Sequence, residues 1–176
     1  MNIMFNAFLR ENKVASVILT VIRLFLGYSW FKSGFGKLTG DGFDASGFLT
    51  NAIKNPVTGP DGAVYGWYTS FIEGFAMPNV GLFNVLIPIG ELLVGLGLIL
   101  GCLTTAAALF GVIMNFSFLL AGTISHNPTD ILMGLIIMFA GVNAGYYGLD
   151  RWVLPFLRKT ILKDNKEKPL SPNLRT

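Results

Sequence analysis

Four stretches of this chain are apolar for long enough to cross a lipid bilayer, and no other property narrows its possible folds as far. A hydrocarbon core about 30 Å thick takes roughly 20 helical residues. The spans are predicted at about 14–35, 80–100, 104–124 and 131–147. Backbone polar groups in lipid must be satisfied within the segment, so spans of this kind are helices. Charged residues make up 13% of the chain, against about 25% in a soluble domain. That shortage excludes most water-exposed folds, disordered chains and nucleic-acid-binding modules. The expected fold is an all-α membrane protein: a four-transmembrane-helix antiparallel bundle over 1–163. A basic, polar tail, 164–176, is expected to be disordered.

The first span is expected to be a retained helix, because Arg23 interrupts it and no small-x-small cleavage site follows. Orientation follows from Lys and Arg near the span ends. Arg10 and Lys13 precede the first span, and Arg151, Arg158, Lys159, Lys163, Lys166, Lys168 and Arg175 follow the fourth. The Gly101–Leu103 turn is uncharged, and the next turn holds only Asp130 and the neutral His126. Lys32, near the far end of the first span, votes the other way and is outnumbered. The chain is therefore predicted to be a multi-pass protein of the cell membrane with both termini cytoplasmic.

The segment 39–79 is too long for a plain connection. Val64, Trp67, Tyr68, Phe71 and Phe75 recur at helical spacing, and Asp44 is placed to cap a helix starting near Ala45. One or two short helices are expected, either on the membrane interface with aromatics at headgroup depth or packed as a loop on the bundle. Asn55-Pro56 and Thr58-Gly59-Pro60-Asp61-Gly62 mark turns between the pieces.

Candidate chemistry lies inside the membrane. A charge at mid-bilayer faces the bundle interior and takes a partner. Arg23 and Glu91 each lie nine residues from the cytoplasmic end of their spans, or roughly 13 Å deep at the helical rise. Equal depth predicts an Arg23–Glu91 pair. Arg23, Gly27, Trp30, Gly34 and Lys37 share a helix face, as do Asn84, Pro88, Glu91 and Gly95, and Ala108, Gly111, Asn115, Phe118 and Gly122. Gly134, Gly141 and Gly145 form a looser stripe. These small and polar faces are expected to point inward.

Two readings stand for this group. In one, Arg23 and Glu91 act in catalysis while Trp30, Lys32, Lys37 and Asn115 bind substrate in a cavity open to the outside. In the other, the ion pair only sets helix register, and Lys32 and Lys37 are interfacial anchors. His126 is expected to be structural, Ser125-His126-Asn127-Pro128 to cap the fourth span, and Pro88 to bend the second. Cys102 is read as a small apolar filler. One cysteine and one histidine leave no intrachain disulfide, metal cluster or bis-histidine haem to this chain alone.

"IRLFLGYSWFKSGFGKL", "GELLVGLGLILG" and "GYYGLDRW" resemble the corresponding segments of the DoxX/DoxD membrane family, with the likeness running from about Val17 to Leu157. The long aromatic segment before the second span resembles the DoxD type. The resemblance implies a four-helix membrane protein tied to redox chemistry. Some relatives are the membrane subunit of a thiosulfate:quinone oxidoreductase, which oxidises thiosulfate to tetrathionate, reduces quinone and carries a smaller second subunit. By that analogy quinone is the electron acceptor, an anionic sulfur substrate meets Arg23, Lys32 and Lys37, and Glu91 relays protons. The alternative is a non-catalytic scaffold, or a lipid- or small-molecule-binding component that recruits redox partners. Expected partners are the bilayer, a second redox subunit and further copies of the chain, with no nucleic acid.

Overall fold

A computed structural model describes residues 2–40 and 42–166. The chain is an all-α, multi-pass membrane protein. Its elements are α1 (Asn2–Glu11), α2 (Lys13–Thr39), α3 (Ser46–Lys54), a two-residue hairpin β1 (Thr58–Gly59) and β2 (Gly62–Ala63), α4 (Gly66–Phe71) continued by a π turn (Ile72–Ala76), α5 (Val80–Leu100), α6 (Thr104–Leu120), α7 (Asn127–Ala140) continued by a 3₁₀ turn (Gly141–Gly145), and α8 (Asp150–Lys166). Helix α2, helix α5 and the stretch Asn127–Gly145 are long and apolar enough to cross a membrane, and α6 is a shorter apolar helix. The part of the expected disordered tail at 167–176 lies outside the described residues.

Local chemistry sets the boundaries. Asn12 ends α1 and caps α2, its side-chain oxygen accepting from the Val14 and Ala15 amides at 2.7 and 3.3 Å. The α5–α6 turn takes Gly101 at φ +62° and Leu103 at φ 50°. Pro128 stands in the first turn of α7, where its missing N–H is harmless. The fourth span therefore begins at Asn127, one turn before the hydropathy pattern suggests. The short hairpin falls on the Thr58–Gly62 turn signal, with Gly59 opposite Gly62.

Helix α2 packs along α5 and α6 along α7, while α5 and α6 touch over less of their length. The α2–α5 register is set by glycine. A Cβ at Gly27 would stand 2.9 Å from the Ile99 nitrogen, one at Gly34 would stand 2.5 Å from the Leu92 nitrogen, and one at Gly95 would overlap the Phe31 backbone. In lipid, such close approach of bare backbones replaces the hydrophobic drive that packs soluble helices. The main core holds Leu19, Leu26, Trp30, Val94, Leu98, Ala108 and Ile137. The opposite face of α2, with Val14, Val17, Val21, Phe25 and Tyr28, is exposed and suits acyl chains.

The segment before α5 is helical and builds a second core of Ala45, Leu49, Ala52, Ile72, Ala76 and Ala121 against one end of the bundle. Its aromatics form a ladder: Trp67–Tyr68, Tyr68–Phe71 and Phe71–Phe75 have centroids 5.5, 5.8 and 5.5 Å apart. Trp67, Phe71 and Phe75 stay exposed. Asp44 accepts from the Ser46 amide at 2.9 Å and from the Ser46 hydroxyl at 2.5 Å, so it holds the start of α3 as the sequence suggested.

Candidate functional site

Glu91 is 3% exposed in the middle of α5. Its carboxylate accepts from Lys37 Nζ at 2.6 and 2.7 Å and from the Ser33 hydroxyl at 2.9 Å. Lys37 also donates to Ser33 Oγ at 2.8 Å, so three polar groups close a small ring. Ser29, Ser33 and Lys37 recur every four residues on α2, which puts them in one file. The lysine keeps a partial view of water and lies 5.4 Å from the centroid of the Phe43 ring.

This ring forms part of the wall of a cavity of about 240 Å³. Trp30, Ser29 and Ser33 line it from α2, Glu91 from α5, Asn115 from α6, and Thr123, Ser125, His126 and Asn127 from the α6–α7 connection and the first residue of α7. The last group except Asn127 is exposed, which places the mouth at that end of the bundle. His126 Nδ1 meets the buried Asp130 Oδ2 at 2.6 Å, one turn along α7. The Trp30 indole N–H is buried and has no hydrogen-bond partner among the described residues.

Four of the six residues expected at the site converge here: Trp30, Lys37, Glu91 and Asn115. Two do not. Lys32 is exposed on α2 and does not line the cavity. Arg23 is at the other end of the bundle, so the expected Arg23–Glu91 pair does not form. The glycine contacts explain why. Gly27 sits at Leu98–Ile99 and Gly34 at Pro88–Leu92, which sets Arg23 level with Gly101 and Glu91 level with the last turns of α2. Counting depth from span ends assumed flush helices, whereas α2 runs past the end of α5 by about ten residues, or some 15 Å.

Arg23 is 1% exposed, packed against the bare backbones of Gly101 and Gly148. Its Nη2 donates to the Tyr147 carbonyl at 3.5 Å, and its charge faces Asp150. Asp150 in turn accepts from the Leu103 and Thr104 amides at 2.6 and 3.0 Å, capping α6 from a distant part of the chain. Arg23 and Asp150 thus tie the start of α8 to the α5–α6 turn.

Sequence reasoning missed Ser29, Ser33, Asn127 and the cavity role of His126. The four-residue serine file ending at Lys37 was a usable signal, as was the His126–Asp130 spacing of one helical turn.

Beside the polar cavity, a larger apolar furrow lies between α5 and α6. Tyr68 borders it, and burial pushes its phenol pKa upward while a hydrogen bond with Ser117 opposes the shift.

The model of the DoxX family matches residues 18–123, which takes in most of α2, all of α3 through α6 and the cavity residues these elements supply. No curated protein and no solved structure matches the chain. The matched stretch is more than half of the sequence and contains both halves of the Lys37–Glu91 pair, and on that ground the chain belongs to the DoxX family.

Proposed function

We propose that this protein is the quinone-binding membrane subunit of a redox system, with an uncharged ring headgroup held in the polar cavity. The observation that carries the reading is a buried carboxylate, Glu91, paired with Lys37 in the wall of a membrane-embedded cavity with a solvent-exposed mouth. The pair is internally neutral, so the wall favours a neutral hydrogen-bonding ligand over an anion. The three cations expected around a sulfur anion are dispersed: Arg23 lies at the far end, Lys32 is outside, and Lys37 is committed to Glu91. Thiosulfate itself therefore draws less support from the geometry than quinone does.

The residues present fit a quinone ring. The unpartnered Trp30 N–H would donate to a ring carbonyl, and the Asn115 amide supplies both a donor and an acceptor. A bound quinone would supply two-electron, two-proton redox chemistry. Glu91 and Lys37, joined by hydrogen bonds, would hold and pass the protons, and exposed His126 at the mouth would exchange them with water. Electrons would come from a second redox subunit. On the charge distribution, the termini face the cytoplasm and the cavity opens to the outer side.

Titrating purified protein in detergent with a tail-less quinone tests this. Saturable binding is expected. Trp30→Phe should weaken it about tenfold, the loss of one buried hydrogen bond. Absence of saturable binding removes the reading. The second reading, a non-catalytic scaffold, is favoured by the way Lys37–Glu91 staples α2 to α5. It predicts that Glu91→Gln unfolds the protein without any separable effect on ligand.

A further inference from the structure

The furrow between α5 and α6 has a volume of about 900 Å³, within the range of cofactor sites. Its shape follows from side-chain size. Near the α5–α6 turn the helices touch, since a Cβ at Gly97 would stand 2.8 Å from the Ala107 Cβ. Further along, Gly90 faces the flexible Met114 thioether, and Val94, 3% exposed, lines the furrow from α5. From Gly97 to Phe83 the furrow follows α5 for about 21 Å. Phe48, Ile87 and Phe118 line both this furrow and the polar cavity, and Phe48 meets Phe118 edge to face at 6.0 Å. The two spaces are separated by one layer of side chains, with the polar one at the end away from the α5–α6 turn.

We infer that the furrow seats the single apolar chain of the ligand whose ring lies in the polar cavity, the chain passing between Phe48, Ile87 and Phe118. The inference rests on the quinone reading and deepens it: the ligand is a ring bearing one long prenyl or alkyl chain. The shared wall argues for one molecule with a polar head and an apolar tail. The neutral Lys37–Glu91 pair argues against a phosphodiester head, which would need a free cation. Apolar burial alone does not draw a chain out of lipid, so the anchored ring is what makes the furrow selective over bulk acyl chains.

The experiment compares a tail-less quinone with the same ring bearing a ten-carbon or a longer prenyl chain, on the full-length protein in detergent. Wild type, Gly90→Leu and Ala106→Phe are measured. Both substitutions fill the furrow and leave the polar cavity lining intact. Each is expected to weaken the tailed ligand about tenfold, the size of an overpacking penalty, with tail-less binding unchanged. Because micelle partitioning is common to all variants, the difference reports the furrow. A tailed ring that binds Gly90→Leu and Ala106→Phe as tightly as it binds wild type overturns the inference and leaves the quinone reading standing. So does a two-chain phospholipid that stays bound in native mass spectra when the tailed quinone is saturating. Failure of wild type to bind any ring overturns both. Thermal unfolding midpoints near wild type establish that the variants are folded.

Discussion

Lys37 Nζ stands 2.6 Å from Glu91 Oε2, joining the end of α2 to the middle of α5 beside the polar cavity. Removing one partner strands the other charge. Lys37→Met should destabilise the protein by about 3 kcal/mol, the scale for an orphaned buried ion. The double variant Lys37→Met/Glu91→Leu should recover most of that loss, while ring binding, weakened by the loss of the polar wall, is not restored. Thermal unfolding in detergent, paired with quinone titration, checks both. A double variant as unstable as the single one would show that the pair is not what holds these helices.

Arg23 and Asp150 make a separate prediction at the opposite end. Asp150 caps α6 by accepting from Leu103 and Thr104. Asp150→Ala should cost about 1–2 kcal/mol for the lost cap, and more because Arg23 loses its counter-charge. Cys102 sits inside this turn and is partly buried. Its maleimide labelling rate should rise several-fold in Asp150→Ala and in Arg23→Met. Unchanged labelling would mean that the turn is held by other contacts.

Two glycines two residues apart in sequence should respond oppositely. A Cβ at Gly34 meets the α5 backbone, whereas one at Gly36 meets nothing within 4 Å. Gly34→Ala should destabilise by about 1–3 kcal/mol through overpacking. Gly36→Ala should be neutral or stabilise by about 0.5 kcal/mol, from helix propensity. The difference in unfolding midpoint reads the helix contact directly.

Asp44 supplies a pH dependence. The Ser46 hydroxyl and amide, with a smaller contribution from Asn84, hold its carboxyl below the ordinary carboxylate range. A depressed folded pKa contributes stability above the unfolded value, and that contribution is lost as pH falls through the folded value. The start of α3 should therefore stay protected through mild acid and loosen only below the usual carboxylate range. Amide exchange at Ser46–Leu49, measured as pH falls, should show this. Asp44→Asn should exchange faster already at neutral pH.

The membrane class and the inward faces were legible in the chain, whereas α1 and α8 were not expected as helices. Arg23, Gly27, Trp30 and Gly34 are buried in a row, as are Pro88, Glu91 and Gly95, because the helical period and the cost of polar groups in lipid leave one way to turn such a helix. The same logic turns Trp30, Lys37, Glu91 and Asn115 inward, and they line one cavity. The pairing of charges was not legible. It depends on how far α2 slides along α5, and that slide is set by backbone contacts at Gly27, Gly34 and Gly95 that exist only once both helices are packed. Burial is a property of one helix and its solvent, written locally along the chain. Register and the gap between α5 and α6 belong to pairs of helices, so Arg23 lies against the Gly101 and Gly148 backbones while Glu91 meets Lys37.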